Sequence, residues 1–103
     1  MQSEMKYVME FIGTFIFLSV ILRVTSADSK VGNLAPLAIV LALLTVIYFD
    51  GGVSGGHFNP AVSVMMHVKD ALNNGSPDMV NTLGYIAAQV LGGLGALQFS
   101  RMM

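Results

Sequence analysis

The sequence predicts an all-α membrane protein with three transmembrane helices and one shorter helix that enters the membrane without crossing it. The chain of 103 residues is 54% hydrophobic and 11% charged, whereas soluble domains carry about 25% charged residues. Three apolar runs, at about residues 7–24, 34–49 and 77–99, are each near the length that crosses a hydrocarbon core of about 30 Å. We therefore expect an integral, multi-pass membrane protein in contact with the lipid bilayer.

The composition also excludes several function classes. The formal net charge is -1 and the five basic residues are scattered singly, so there is no electrostatic footprint for nucleic acid. Because the chain has no cysteine, disulfides, thiolate metal sites and cysteine nucleophiles are excluded. We find no nucleotide motif and no metal-ligand constellation, and we expect no cofactor.

The first apolar run has a second interpretation, as a signal peptide. Lys6 precedes the run, and Thr25-Ser26-Ala27 resembles a cleavage site of small residues. A retained helix is favoured because acidic Glu4 and Glu10 stand where a signal peptide is basic. The segment is also long enough to span if it continues to Val24.

Local signals mark where the other two spanning helices begin. Residues 25–33 are polar and without periodicity, which predicts a short loop outside the membrane. Pro36 falls in the first turn of the second helix, where its missing N–H is harmless. For the third helix we expect Ser76 as the N-cap, Pro77 as the first helical residue and Asp78 beside the positive end of the dipole. Residues 73–75, Asn-Asn-Gly, predict a turn before it.

Residues 50–69 predict a re-entrant loop and a half-helix. The glycine-rich run Gly51–Gly56 favours irregular backbone. Asn59 is a good N-cap and Pro60 a good first residue of a helix that we place at residues 60–69. Such a helix is about 15 Å long, roughly half the hydrocarbon thickness. Because irregular backbone at membrane depth must be buried in protein or line a watery cavity, this segment predicts a pore or a binding cavity.

The third helix carries small residues at every fourth position. This stripe is typical of a surface on which another helix approaches closely. Its members are Gly84, Ala88, Gly92 and Ala96.

Three motifs, in this order, resemble the aquaporin and glycerol-facilitator family, the major intrinsic proteins. They are Glu10-Phe11-Ile12-Gly13-Thr14-Phe15 in the first helix, Ser54-Gly55-Gly56-His57-Phe58-Asn59-Pro60-Ala61-Val62-Ser63 in the re-entrant segment, and Ala88-Gln89 in the third helix. Family members are normally about twice as long and consist of two inverted halves. The resemblance therefore implies an aquaporin-like half-repeat with one Asn-Pro-Ala (NPA) half-helix, and a passive channel for water and small neutral solutes such as glycerol.

The resemblance also implies roles for single residues in the pore. Asn59 would cap the half-helix while its amide remains a donor to a passing water, followed by Pro60 and Ala61. The family places a file of carbonyl oxygens before this motif, which points to Gly56, His57 and Phe58. By ungapped counting, the selectivity-filter position on the second helix falls at Ile39. Val62 follows the motif, and the filter arginine that the family carries in its second half is absent.

Two further polar residues are expected to support the loop. In the family the carboxylate at Glu10 is buried and braces the pore loop; the alternative for Glu10 is solvation at the membrane interface. Gln89 is expected to form an interhelical hydrogen bond or to brace the loop. We expect His57 to be a packed loop residue rather than a pH sensor, and His67 and Lys69 to suit the C-terminal dipole of the half-helix.

A single half leaves the cavity open to lipid, so a partner must close it. With an amino terminus inside, Lys6 and Lys69 face the cytoplasm while Arg23, Lys30 and Arg101 face outwards, which is almost no orientation bias. The partner is then either a second copy in inverted orientation or a separately encoded second half.

Three other interpretations remain open. In the first, the chain is a non-conducting membrane interaction protein that pairs through the stripe on the third helix. In the second, it is a fragment without function. An enzyme is the weakest option: Ser54, Ser63, His57 and His67 offer triad-like residue types, but there is no nucleophile-elbow motif.

Overall fold

A computed structural model describes residues 2–73 and 75–103 of the chain as a bundle of helices. The helices are α1 (Gln2–Val24), α2 (Ala35–Ser54), α3 (Pro60–Asn73) and α4 (Met79–Arg101), and a single 3-10 turn, Gly32–Leu34, leads into α2. No strand occurs in the described ranges. Because α1, α2 and α4 are each long and apolar enough to cross a membrane, the protein is an integral, multi-pass membrane protein, as predicted.

Helix α1 is the centre of the bundle and packs against both α2 and α4. Tyr7 near the start of α1 donates a hydrogen bond to Asn81 at the start of α4, over 3.3 Å. At the other end, Arg23 and Ser100 line one depression between the same helices. Helices α1 and α4 therefore run parallel, and the ends of the bundle lie on opposite sides of the membrane. Helix α3 packs against α4.

Small residues allow α4 to lie against α1. A Cβ atom at Gly84 would lie 2.5 Å from Cε1 of Tyr7, and one at Gly92 would lie 2.7 Å from the backbone oxygen of Phe11. Ala88 and Ala96 of the same stripe are buried. The stripe that the sequence shows on the third spanning helix is thus used inside the chain.

Helix α2 ends later than the sequence predicts. We expected Gly51–Gly56 to be irregular, but the helix continues through Gly51 and Gly52 to Ser54. Glycine costs about 1 kcal/mol in a helix relative to alanine, and the buried hydrogen bond from Ser54 Oγ to Glu10 at the end of the helix offsets part of this cost. The helix ends at Gly55, whose φ of 91° is left-handed and whose N–H donates to the carbonyl of Gly51 over 2.8 Å.

The half-helix α3 is also longer than the range 60–69 that we expected. It runs for 14 residues to Asn73, or about 21 Å, still short of the hydrocarbon thickness. Gly75, with φ 76°, stops it by donating its N–H to the carbonyls of Asp70 and Ala71. Asn73 is thus helical rather than part of the expected turn, and Asn74 lies outside the described residues.

The start of α4 corrects a further local prediction. The N-cap is Asp78 rather than Ser76, and its side chain accepts a hydrogen bond from the N–H of Asn81 over 3.0 Å. Serine and aspartate are both good N-caps, so residue type alone does not determine which of the two caps α4. The packing of the helix decides it. The prediction for α2 is confirmed, since Pro36 lies in its first turn.

Candidate functional site

Glu10 lies at the centre of the candidate site. It is 0% exposed, so the structure places it in the protein interior rather than at the membrane interface. Its carboxylate accepts four hydrogen bonds, two on each oxygen: Oε2 from Ser54 Oγ (2.7 Å) and the His57 N–H (3.0 Å), and Oε1 from the Phe58 N–H (2.8 Å) and Gln89 Nε2 (2.8 Å). A carboxylate group accepts hydrogen bonds on both of its oxygens, so Glu10 connects donors from α2, the loop and α4 at one point.

These hydrogen bonds determine where the loop carbonyls point. In a planar trans peptide the N–H and the preceding C=O point in opposite directions. Because the N–H groups of His57 and Phe58 point at Glu10, the carbonyls of Gly56 and His57 point away from α1.

Phe58 has an unusual backbone for a bulky residue. Its φ is 51°, in the left-handed region, a conformation in which such residues are outliers. Its side chain is 3% exposed, and a Cβ at Gly13 would overlap its ring. The absence of a side chain at Gly13 thus allows the ring of Phe58 to lie against α1.

Asn59 follows directly and caps α3. Its Oδ1 accepts the N–H of Ala61 over 2.8 Å, which leaves the side-chain NH₂ as a donor. Asn59, Pro60 and Ala61 are exposed, and Val62 is half-buried. The helix dipole adds positive potential at this end of α3.

A chain of side chains connects Glu10 to His57. Gln89 Nε2 donates to Glu10 and, over 2.9 Å, to Ser63 Oγ, which lies 2.8 Å from Nδ1 of His57. Tyr85 adds a hydrogen bond from its hydroxyl to the backbone carbonyl of Ser54. Sequence reasoning did not assign Ser54, Ser63 or Tyr85 to the loop support; the one available signal was that they are polar within apolar segments.

The two histidines contact different hydroxyl groups. His57 contacts Ser63, whereas His67 pairs with Thr82 of α4 over 2.8 Å. This contact links α3 to α4, in addition to the dipole role expected of His67. Across residues 2–73 and 75–103, no group of three or more histidine or acidic side chains is arranged to hold a metal ion.

An apolar groove of about 660 Å³ lies between α1 and α4 beside the cap of α3. We call it the α1–α4 groove; its lining includes Thr14, Ile21, Asn59, Pro60, Gln89 and Leu97. Two oxygens of its lining residues, Thr14 Oγ1 and Gln89 Oε1, are buried and have no hydrogen-bond partner within the described chain.

Ile39 is not brought to the loop. It is half-buried and lies near the start of α2, about 22 Å along the helix axis from Ser54. The arginines Arg23 and Arg101 lie in the last turns of α1 and α4, and neither lines the α1–α4 groove beside Asn59.

Comparison with known proteins agrees with these features. The family model for major intrinsic proteins matches residues 2–103. The chain is 42% identical over 92 residues to the glycerol uptake facilitator protein-like 6 of Lactiplantibacillus plantarum, covering 86% of this chain and 39% of that protein. It is 41% identical over 93 residues to aquaporin Z of Brucella melitensis, covering 84% and 39%.

A more distant relative is the aquaglyceroporin of Toxoplasma gondii, 32% identical over 88 residues and covering 85% of this chain and 32% of that protein. No solved structure matches the chain. The chain spans about two fifths of the length of the first two relatives. With its three spanning helices, its short capped α3 and the family match over nearly its whole length, the chain belongs to the major intrinsic protein family and has the fold of an aquaporin-like half-repeat.

Proposed function

We propose that this chain is one half of a passive membrane channel for water and small neutral solutes such as glycerol, and that a second chain completes the pore. The main observation behind the proposal is that the carboxylate of Glu10 accepts hydrogen bonds from the backbone of the loop before Asn59. This contact directs the carbonyls of Gly56 and His57 away from α1, and Asn59 stands exposed at the start of α3. A file of acceptors followed by a donor suits a molecule that both donates and accepts hydrogen bonds, as water and glycerol do.

The electrostatics of α3 favour neutral solutes. Its N-terminus carries about half a positive charge, and no side chain at Asn59, Pro60 or Ala61 carries a charge to neutralise it. A cation or proton would be repelled there, as at other half-helix ends in channels. With Val62 after the motif and no arginine near it, the passage is more apolar than a strict water filter, which favours glycerol as a second solute.

The α1–α4 groove supports the need for a second chain. Buried oxygens are almost always hydrogen-bonded, yet Thr14 Oγ1 and Gln89 Oε1 have no partner within the described chain. Both residues line the groove beside Asn59. The groove is apolar and open on one side, so a second half-helix that covers it would close the passage beside Asn59.

The distribution of basic residues favours an inverted copy as the partner. Lys6 and Lys69 belong to one end of the bundle, and Arg23, Lys30 and Arg101 to the other. Two against three is too small a difference to impose one orientation. We therefore propose an antiparallel homodimer, in which two α3 N-termini meet near the membrane midplane; a separately encoded second half is the alternative partner.

A non-conducting interaction protein is the rival function. Its sequence basis was the small-residue stripe on α4, but Gly84 and Gly92 lie against Tyr7 and Phe11 of the same chain. The stripe is therefore occupied and offers no face to another membrane helix.

The test is stopped-flow light scattering on proteoliposomes that contain this chain alone, under osmotic gradients of sucrose and then glycerol. We expect shrinkage faster than in empty liposomes, and a sharp change in Asn59→Asp, because the new carboxylate removes the donor and adds a negative charge. Asn33→Asp, the same change in the loop before α2, is the matched control and should behave as the wild type.

Two results would contradict the proposal in different ways. Shrinkage at the rate of empty liposomes, with the chain shown to be inserted and helical, would reject the homodimer and leave a second half as the partner to supply. Fast shrinkage that Asn59→Asp leaves unchanged would reject the pore path past Asn59.

A further inference from the structure

Asp50 is a buried carboxyl group that the channel function does not use. It lies in α2, one turn before Ser54, and is 1% exposed. Neither of its oxygens has a hydrogen-bond partner in the described chain. The sequence did not predict the burial of Asp50, because this residue borders the glycine-rich run for which irregular backbone was expected.

The surroundings of Asp50 are apolar or of like charge. A Cβ at Gly13 would lie 2.7 Å from Oδ2 of Asp50 and would also meet the ring of Phe58, so the carboxyl and the ring share one site on α1. Glu10 lies one turn before Gly13 on the same face of α1, so a second carboxyl group stands near this site. Among the described residues, titratable side chains at this end of the bundle include His57 of the loop, which contacts Ser63, Tyr85 of α4, which donates to Ser54, and Tyr7 of α1, which donates to Asn81.

Glu10 and Asp50 therefore differ in their hydrogen-bond partners. Glu10 receives four donors, and Asp50 receives none. A buried ionised carboxylate without donors is costly in a protein and more so in a membrane, and two adjacent carboxyls do not both ionise readily.

We propose that Asp50 is held as a neutral carboxylic acid, and that its proton keeps the ring of Phe58 seated on Gly13 and so holds the loop that leads to Asn59. Loss of this proton places a second negative charge beside Glu10 and draws water into the contact between α1 and α2. The left-handed backbone of Phe58 is retained only while its surroundings hold it. Release of the ring then frees the residue immediately before Asn59, so alkaline pH loosens the loop.

Infrared spectroscopy of the chain in lipid tests the protonation directly. At neutral pH the wild type should show the carbonyl stretch of a protonated carboxylic acid, which moves on labelling with ¹³C-aspartate. The band should disappear in Asp50→Asn and remain in Asp70→Asn, the same change at an exposed position of α3. Absence of the band at neutral pH, or its survival in Asp50→Asn, would overturn the proposal. If Asp50→Asn does not fold, the isotope shift in the wild type still shows whether the protonated group is an aspartate, and its absence would overturn the proposal.

Hydrogen exchange tests the effect on the loop. As the pH rises into the alkaline range, protection of the Phe58 amide should fall by about tenfold or more in the wild type and stay constant in Asp50→Asn, each corrected for the intrinsic pH dependence of exchange. Equal pH profiles would reject the link between Asp50 and the loop. Only the consequence for conduction rests on the proposed channel function; neither readout here requires a pore, so failure of the channel in liposomes would leave both results standing.

Discussion

The hydroxyl of Tyr85 on α4 donates a hydrogen bond to the backbone carbonyl of Ser54, the last residue of α2. The last four carbonyls of a helix have no intrahelical partner, so this side chain satisfies one of them from a neighbouring helix. The Ser54 hydroxyl in turn donates to Glu10. The end of α2 is therefore attached both to α4 and to the group that holds the loop.

Removal of this hydroxyl should weaken the fold without creating a cavity. We expect Tyr85→Phe to lower the free energy of unfolding by about 1 to 3 kcal/mol, because the buried carbonyl of Ser54 loses its partner. Reversible unfolding in mixed micelles, followed by circular dichroism, measures the change. Tyr48→Phe is the control, since Tyr48 is 84% exposed and should change stability little; an equal loss in both variants would refute the role of Tyr85.

The contact between α4 and α1 should be sensitive to a single methyl group at Gly92. A Cβ there would lie 2.7 Å from the backbone oxygen of Phe11, whereas one at Gly93 would meet only a side-chain atom, Cδ1 of Leu18, at 3.0 Å. Backbone cannot move aside as a side chain can, so Gly92→Ala should destabilise the chain by about 1 to 3 kcal/mol. Gly93→Ala should cost clearly less. Thermal unfolding of the two variants in the same detergent compares them, and equal transitions would show that α4 does not approach α1 this closely.

Glu10→Gln should release the loop. A glutamine side chain has one acceptor oxygen and brings an NH₂ group towards donors, so it cannot accept from both the His57 and the Phe58 amides as the carboxylate does. We expect exchange of these two amides to accelerate by about tenfold or more, since hydrogen bonds to charged groups contribute about 1.5 to 3 kcal/mol. Asp70→Asn, a loss of charge at an exposed site, should leave them protected. Unchanged protection in Glu10→Gln would mean that other contacts hold the loop.

The loop after α1 contains a carboxyl group with a simple pH behaviour. The Ser26 hydroxyl, which donates to Asp28 over 2.7 Å, lowers the pKa of Asp28, with further contributions from the Asp28 backbone amide and the Arg23 guanidinium. A lowered pKa stabilises the loop above the ordinary pKa of aspartate, and the contribution is lost as the pH falls through the lowered value. We expect Ser26→Ala to return the pKa of Asp28 towards its ordinary value in an NMR titration, and Ser29→Ala to leave it lowered. Identical titrations in both variants would exclude Ser26 as the cause.

Local signals predicted much of the fold. The three spanning helices follow from apolar length alone, and Pro36 marks the first turn of α2 because a residue without an N–H suits that position. The Asn59-Pro60 pair likewise marks the start of α3, because asparagine suits the N-cap and proline suits the first helical position that follows it. These features depend on residues within one turn of each other.

What the sequence did not predict depends on contacts between distant residues. Gly51 and Gly52 argue against a helix when they are considered alone, and α2 continues through them because Ser54 reaches Glu10, 44 positions away in sequence. The unpartnered carboxyl of Asp50 follows from the same packing, since only the approach of Gly13 makes the site closed and apolar. Neither contact has a local pattern from which it could be derived.

The parallel course of α1 and α4 has a consequence for how a double-length chain arises. A unit with three crossings delivers its carboxyl terminus to the side of the membrane opposite its amino terminus. If its coding sequence is duplicated in tandem, the second copy begins on that opposite side of the membrane. It therefore inserts with inverted topology, and no additional transmembrane helix is needed between the copies. The geometry that lets two separate copies face each other in inverted orientation is therefore also what head-to-tail duplication and fusion would produce.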